Sequence, residues 1–120
     1  MRLVTKGQGA SPGRARGPLV FSSAAALASA SRGAPAVLVR NEAGAEDAGG
    51  IRAALALVTT RGGITGDGAI IARALGKPCL TSCTGAFVRP DEPCMVVGDL
   101  IVREGEIVTI DAAAGQLIVE

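Results

Sequence analysis

Two short apolar runs with turn residues or charge at their ends constrain the fold of this 120-residue chain more than any other feature. PAVLVR (residues 35–40) and LALVTT (residues 55–60) are uninterrupted runs, which are typical of buried strands. Between them, NEAGAEDAGGIRAA has acidic residues early and Arg52 late, the order that complements a helix dipole. A further helix is predicted over residues 66–75, ending at Gly76 with Pro78 just beyond. Strands that alternate with helices predict a mixed α/β fold.

The remaining segments predict a β-rich frame around this unit. GQGASPGRARGPLVF indicates a strand, a turn at residues 11–13 and a second strand over residues 15–21. Serine before an alanine-rich stretch predicts a helix over residues 22–31. After Cys79, short strands are expected in CLTSC, CMVVGD and EIVTIDAAAGQLIVE, with turns at EGE and AAAG. We expect residues 1–120 to form a single domain. Because only two residues are aromatic, its core must be built from aliphatic side chains in thin layers.

Charge and cysteine content argue against several classes of protein. The net charge is +1 without a basic block, so nucleic acid is not an expected partner. No run approaches the roughly 18 apolar residues of a membrane span, and MRLVTKGQG lacks the apolar core of a signal peptide, so no membrane partner and a cytoplasmic location are expected. The three cysteines form no CxxC pair and the chain has no histidine, so no metal site is predicted. The cysteines are expected to be buried thiols.

A glycine-rich turn leads into the second predicted helix, in TRGGITGDGAIIARAL. Glycine lets backbone N–H groups approach a ligand closely, and the first N–H groups of a helix attract anions. The motif is neither a Walker loop nor GxGxxG. Thr65 is the expected N-cap, and the residues predicted to form the buried face are Ile70, Ile71, Ala74 and Leu75. The candidate phosphate-binding residues are Arg61, Gly62, Gly63, Thr65 and Gly66.

Several segments, in the right order, resemble the mobile phosphohistidine domain of phosphoenolpyruvate (PEP)-utilising enzymes, most closely that of pyruvate phosphate dikinase. VLVRNEAGAEDAGGI resembles the family's LVR-E-(S/T)-P-ED segment, and TTRGGITGDGAIIARALGKPC is similar to its T-RGG-TSHAAVVAR--GKPC signature. The opening GQGASPGRARGPLVF and the tail GDLIVREGEIVTIDAAAGQLIVE also resemble the family's terminal strands. The resemblance implies a swivelling β/β/α three-layer domain that carries a phosphoryl group between a nucleotide-binding domain and a PEP/pyruvate barrel. It implies no cofactor in this domain, since the family's Mg²⁺, ATP and PEP bind to other domains.

The resemblance implies a phosphoryl-accepting histidine at the helix start, where this sequence has Asp67 between Gly66 and Gly68. A neutral imidazole offers a lone pair near neutral pH, whereas a carboxylate repels phosphoryl oxygens. We therefore expect an interaction or regulatory module that is incompetent in phosphotransfer. An exposed docking patch would also allow self-association into a homo-oligomer.

Three alternatives remain open for Asp67. In the first, the carboxylate is an active phosphoryl acceptor; such sites need Mg²⁺ and further carboxylates, and Glu42, Glu46 and Asp47 come near only through the fold. In the second, a partner supplies the missing residue, and in the third, Asp67 mimics the charge of a phosphorylated carrier. On residue chemistry alone, Asp67 only complements the helix dipole, an effect of about 0.3–1 kcal/mol.

The resemblance also bears on neighbouring residues. Thr65 matches a threonine that is a regulatory phosphorylation site in plant dikinases, although N-capping explains it without that role. Arg61 and Arg73 are candidates for steering an anion, and Arg73 alternatively extends along the surface or pairs with an acidic neighbour. Cys83 falls where related dikinases have cysteine and is interpreted as a packing residue.

Overall fold

The computed structural model describes residues 2–120, which form eleven strands and three α-helices. This composition confirms the mixed α/β class. The strands are β1 Arg2–Lys6, β2 Gln8–Ser11, β3 Arg14–Val20, β4 Val37–Arg40, β5 Ala56–Thr59, β6 Cys79–Thr81, β7 Ala86–Arg89, β8 Cys94–Val97, β9 Leu100–Arg103, β10 Ile107–Asp111 and β11 Gln116–Val119. The helices are α1 Ser23–Ser31, α2 Ala48–Ala53 and α3 Asp67–Ala74, and a 3-10 turn at Ala45–Asp47 precedes α2.

Eight strands form one sheet, in the order β1-β11-β10-β3-β4-β5-β6-β2. Strand β3 connects its two halves: residues 14–18 pair antiparallel with β10, whereas Leu19 and Val20 pair parallel with β4. Strands β4, β5 and β6 continue the parallel part, and β2 closes that side antiparallel to β6. The carboxyl ends of β4 and β5 therefore meet at one edge. Strands β7, β8 and β9 form a separate antiparallel sheet.

The central parallel strands have apolar side chains on both faces. On one face Val37, Val39 and Val58 belong to a buried cluster with Val88, Met95 and Val102 of the small sheet, which we call the sheet-side core. On the other face, Leu38 and Leu57 belong to a cluster with residues of the three helices, which we call the helix-side core. Its helical members are Ala26 of α1, Ile51 of α2, and Ala69 and Ala72 of α3. Burial on both faces explains the uninterrupted apolar runs in the sequence.

The first two helices begin close together. The predicted helix α1 is confirmed, with Ser22 as its N-cap, since the Ser22 side chain accepts a hydrogen bond from the Ala25 N–H at 3.1 Å. Helix α2 begins only at Ala48, after the 3-10 turn. At Gly50 any Cβ would overlap the side chain of Ser23, so glycine allows α1 and α2 to approach.

One expectation for α3 is wrong and a second is only half confirmed. The N-cap is Gly66, not Thr65. Of the predicted buried face, Ile71 and Leu75 are partly buried against the helix-side core, whereas Ile70 is 50% exposed and Ala74 is also exposed. The fully buried residues are Gly68, Ala69 and Ala72. The reason is close contact: a Cβ on residue 68 would lie 2.6 Å from Ala43 Cβ and 3.1 Å from Leu57 Cδ2. Only very small residues fit where α3 approaches Ala43 and Leu57 this closely.

Three strands, β1, β7 and β9, lie outside the strands predicted from the sequence. Strand β1 pairs with β11, and β7 and β9 flank β8 in the small sheet. Among residues 2–120, no helix is both long enough and apolar enough to cross a membrane.

Candidate functional site

A cavity of about 320 Å³ lies where β4 and β5 end and α3 begins. Glu42 and Ala43 contribute from the segment after β4, and Thr59, Arg61 and Gly62 from the end of β5. The remaining wall is residues 66–69, the first turn of α3. Open α/β sheets commonly bind ligands outside the carboxyl ends of their parallel strands, so the topology places this cavity at a favourable position.

The start of α3 presents uncapped backbone donors to the cavity. Gly66 adopts an extended conformation and makes no side-chain cap, while its own N–H donates to the Gly63 carbonyl oxygen at 3.0 Å. The Gly66 carbonyl oxygen accepts the first helical hydrogen bond, from the Ile70 N–H at 3.0 Å. The N–H groups of residues 67–69 precede that bond and carry the positive end of the helix dipole. This arrangement favours a negative charge.

The first helical residue itself supplies such a charge. Asp67 is exposed and lines the cavity, and none of the salt bridges among residues 2–120 includes it. Glu42 lines the same cavity and lies 3.6 Å from Arg61, measured from Oε1 to Nε. Both partners are about two-thirds exposed, so this pair contributes little, about 0–1 kcal/mol. Two carboxylates and one guanidinium leave the cavity one negative charge in excess.

The glycine turn before α3 is fixed by neighbours outside the cavity lining. Gly62 has φ +85°, a region that favours glycine. Its carbonyl oxygen accepts a hydrogen bond from the Ser82 hydroxyl, and Ser82 itself has φ +55°. Arg73 Nη1 donates to the carbonyl oxygens of Ile64 at 2.6 Å and Ala10 at 3.1 Å. Arg73 therefore holds the turn against β2 and does not line the cavity.

The structure brings together most, but not all, of the residues proposed from the sequence. Arg61, Gly62, Gly66 and Asp67 line the cavity. Two others lie outside its lining: the Gly63 carbonyl supports the turn, and Thr65 is exposed.

The cavity also gains residues that were not among the candidate phosphate-binding positions. The sequence does not predict Ala43 or Thr59 at the site, and it indicates Glu42 only as a group that the fold brings near. The available signal is that Thr59 ends β5 and that Glu42 and Ala43 follow shortly after β4.

Of the other carboxylates considered beside Asp67, Glu46 is exposed and Asp47 is buried elsewhere. Asp47 accepts hydrogen bonds from the Ser23 hydroxyl at 2.6 Å and the Gly44 N–H at 3.2 Å. It is thus committed to the junction of α1 with the turn before α2. Within residues 2–120, no cluster of three or more potential metal-ligating side chains occurs.

The cysteines are free and buried, as predicted. Burial raises the pKa of the Cys79 thiol to about 12, partly offset by the charge of Arg73. Burial likewise raises the pKa of Cys83 to about 12. None of the three cysteines lines the cavity, so no thiolate is available there as a nucleophile.

Known proteins match this chain over most of its length. Residues 32–115 match the family described as PEP-utilising enzyme, mobile domain. Pyruvate, phosphate dikinase 1, chloroplastic, of Zea mays is 39% identical over 117 residues, covering 98% of this chain and 12% of the relative. Pyruvate, phosphate dikinase of Rhizobium meliloti is 36% identical over 116 residues, covering 97% of this chain and 13% of the relative. The chain thus spans only a small part of these relatives.

A solved structure extends the comparison to the fold. The crystal structure of aconitase X from Thermococcus kodakaraensis superposes with a TM-score of 0.58 at 15% identity, covering 97% of each chain. At that identity the likeness concerns the fold alone. Both the family match and the dikinase relatives cover most of the sequence. The chain therefore belongs to the family of mobile domains of PEP-utilising enzymes.

Proposed function

We propose that this chain is a mobile domain that does not accept a phosphoryl group and acts as an interaction or regulatory module. The observation that carries the proposal is Asp67, a carboxylate at the start of α3, in a chain with no histidine. The motif resemblance aligns this residue with the family's phosphoryl-accepting histidine. Without an imidazole, the chain lacks the group that forms a phosphoramidate.

The charge of the cavity supports this proposal. An incoming phosphoryl donor is negatively charged, and it would meet the carboxylates of Asp67 and Glu42. Among the described residues 2–120, Arg61 is the one guanidinium in the lining, and it already faces Glu42 at 3.6 Å. Repulsion between these carboxylates and the donor opposes transfer to Asp67.

The setting of the domain is part of the proposal. The relatives are about eight times longer than this chain, which supports docking on a nucleotide-binding domain and a PEP/pyruvate barrel. We expect residues 1–120 to move as one swivelling domain in the cytoplasm. The continuous sheet from β1 to β2 supports the single unit. Mg²⁺, ATP and PEP would bind to the other domains.

A labelling experiment tests the function. The chain is incubated with labelled PEP, or with labelled ATP and the nucleotide-binding domain of a dikinase, and no label is expected on the protein. The Asp67→His variant should gain acid-labile label, because it restores an imidazole in front of the uncapped helix start. Asp67→Asn serves as the matched control, since it removes the charge without adding a nucleophile.

The second candidate function is phosphoryl transfer through Asp67, favoured by its exposure beside uncapped N–H donors. In that reaction a carboxylate oxygen forms the new bond to phosphorus while the donor's phosphorus–oxygen bond breaks, giving an acyl phosphate. Acid-stable, hydroxylamine-sensitive label on the wild-type chain, lost in Asp67→Asn, would establish it and refute the first proposal. The same experiment with the partner domains present tests whether a partner supplies the missing residue.

A further inference from the structure

A second cavity, of about 210 Å³, lies on the other side of the Glu42–Arg61 ion pair. It is lined by Arg40, Asn41, Glu42, Arg61, Val88 and Pro90. Glu42 and Arg61 line both cavities, whereas Asp67 and the α3 turn line only the first. We call this second space the arginine cavity. It lies between the ends of β4 and β5 and strand β7 of the small sheet.

The two cavities differ in charge. The lining of the arginine cavity has two guanidinium groups and one carboxylate, and outside the lining the buried carboxylate of Asp47 lies 3.6 Å from Arg40 Nε. The first cavity has the opposite balance, because Asp67 replaces Arg40 among the charged groups. The lining of the arginine cavity thus presents one guanidinium group more to an anion than the lining of the first cavity.

Arg40 has unused hydrogen-bonding capacity. Its side chain is 30% exposed, and within residues 2–120 one N–H, on Nη1, donates, to the Phe21 carbonyl oxygen at 3.3 Å. Its Nε is buried without a hydrogen-bond partner, 3.6 Å from Asp47 Oδ2. Asp47 is satisfied by Ser23 and Gly44, so it fixes Arg40 electrostatically without a hydrogen bond to Nε. A guanidinium with free donors in a fixed position is suited to a planar or tetrahedral oxyanion.

The apolar wall of the cavity is held in place by Asn41. Its side-chain amide donates to the Val88 carbonyl oxygen at 3.0 Å, and its oxygen accepts from the Val88 N–H at 2.7 Å and the Thr60 hydroxyl at 2.8 Å. Asn41 thus ties β7 to the ends of β4 and β5. Pro90, which is exposed, stands beside the arginines as an apolar surface, while the side chain of Val88 is buried in the sheet-side core.

We propose that the arginine cavity binds a small phosphate monoester. The phosphate lies between the guanidinium groups of Arg40 and Arg61, and the organic part packs on Pro90. Arginine pairs with phosphate through two parallel N–H donors, which accounts for the choice of residue. The ligand draws Arg61 away from Glu42, because the exposed ion pair is weak and a dianion offers more charge. The site is independent of whether Asp67 accepts a phosphoryl group.

Titration of the ¹⁵N-labelled chain with phenyl phosphate, inorganic phosphate and acetate tests this site by NMR. Shifts are expected for the Asn41 side-chain amide, the Val88 amide and the Arg40 Nε–H, with phenyl phosphate bound most tightly and acetate least. Arg61→Gln should weaken phenyl phosphate binding about tenfold, the value of one charge-assisted hydrogen bond. Glu42→Gln should tighten it, since it removes the competing carboxylate. Arg52→Gln, which changes an exposed arginine outside both cavities, should leave affinity unchanged.

Each contrary result refutes the proposal. It is overturned if phenyl phosphate does not bind at millimolar concentration, or binds equally well to Arg61→Gln. Shifts confined to the amides of residues 67–69, with affinity increased by Asp67→Asn, would assign the anion to the first cavity instead. Equal affinity for inorganic and phenyl phosphate would show that the apolar wall does not contribute to binding, and it would refute a monoester as the ligand.

Discussion

The two faces of the central sheet are built from different residues. Of the eleven buried residues in the helix-side core, six are alanine, whereas the sheet-side core has one alanine among fourteen. The sheet-side core instead contains leucine, valine, isoleucine, methionine and phenylalanine. Small residues let the helices approach the sheet, which brings the first turn of α3 beside the ends of β4 and β5. The helix face therefore shapes the candidate site, while the other face supplies bulk burial.

The largest effects are expected from truncating one leucine on each face. Leu57→Ala on the helix face and Leu117→Ala on the sheet-side face each remove a fully buried side chain, and each should cost about 2–5 kcal/mol. Urea unfolding followed by circular dichroism measures both, because the chain has no tryptophan for fluorescence. Only Leu57→Ala should shift the amides of residues 67–69, since Leu57 packs below Gly68. Equal shifts in Leu117→Ala would abolish the distinction between the faces.

Close approach on the helix face is tested by adding a single methyl group. In Gly68→Ala the new Cβ meets Ala43, which cannot rotate away, so a destabilisation of about 1–3 kcal/mol is expected. Gly49→Ala is the matched control in α2, where a Cβ meets nothing within 4 Å. That variant should be stabilised by about 0.5–1 kcal/mol, since alanine is the better helix former. A neutral Gly68→Ala would mean that α3 is free to move outward.

Titration of two cysteines compares the two faces of the sheet, because Cys79 belongs to the helix-side core and Cys83 to the sheet-side core. Burial raises the pKa of each thiol from 9.0 to about 12. As pH rises, the unfolded chain therefore loses the thiol protons before the folded chain does. The contribution of the protonated thiols to the free energy of unfolding is full below pH 9 and is lost as pH rises towards 12. At one pH unit above 9.0 the loss should be about 1.4 kcal/mol per thiol.

This titration is measured from urea midpoints at increasing pH and from thiolate absorbance, which no tyrosine obscures. Cys79→Ala and Cys83→Ala each lower stability at neutral pH but should each flatten its decline above pH 9. A slope unchanged in Cys83→Ala alone would show that the sheet-side face admits water to its thiol. That result would distinguish the two faces by the access of water to their thiols.

The sequence predicts elements well where local pattern and tertiary burial agree. The runs at residues 35–40 and 55–60 are apolar because both faces of β4 and β5 are covered, and α1 has a serine cap. Helix α3 is the counterexample. Hydropathy favours burying Ile70, whereas contact with Ala43 requires Gly68 on the buried face. That requirement depends on interhelical and sheet distances, which no local pattern contains.

The candidate site likewise has residues that the sequence predicts and residues that only the tertiary fold brings in. Arg61, Gly62, Gly66 and Asp67 are near one another in the chain, so one motif predicts them together. Glu42 comes to the site only because β4 and β5 pair in parallel and end at the same edge. The arginine cavity was not predicted at all, since it needs Val88 from a strand of the small sheet.

The smallest expected effect concerns the cap of α1, on the helix face of the sheet. Ser22→Ala removes the acceptor of the Ala25 N–H and should cost about 1 kcal/mol. Ser31→Ala is the control, because its exposed hydroxyl only donates back to the Leu27 carbonyl oxygen, and a change within about 0.5 kcal/mol is expected. Helix α1 also holds Asp47 through Ser23, and Asp47 fixes Arg40. If Ser22→Ala also shifted the NMR signal of the Arg40 Nε–H, the arginine cavity would depend on the helix face as the first cavity does.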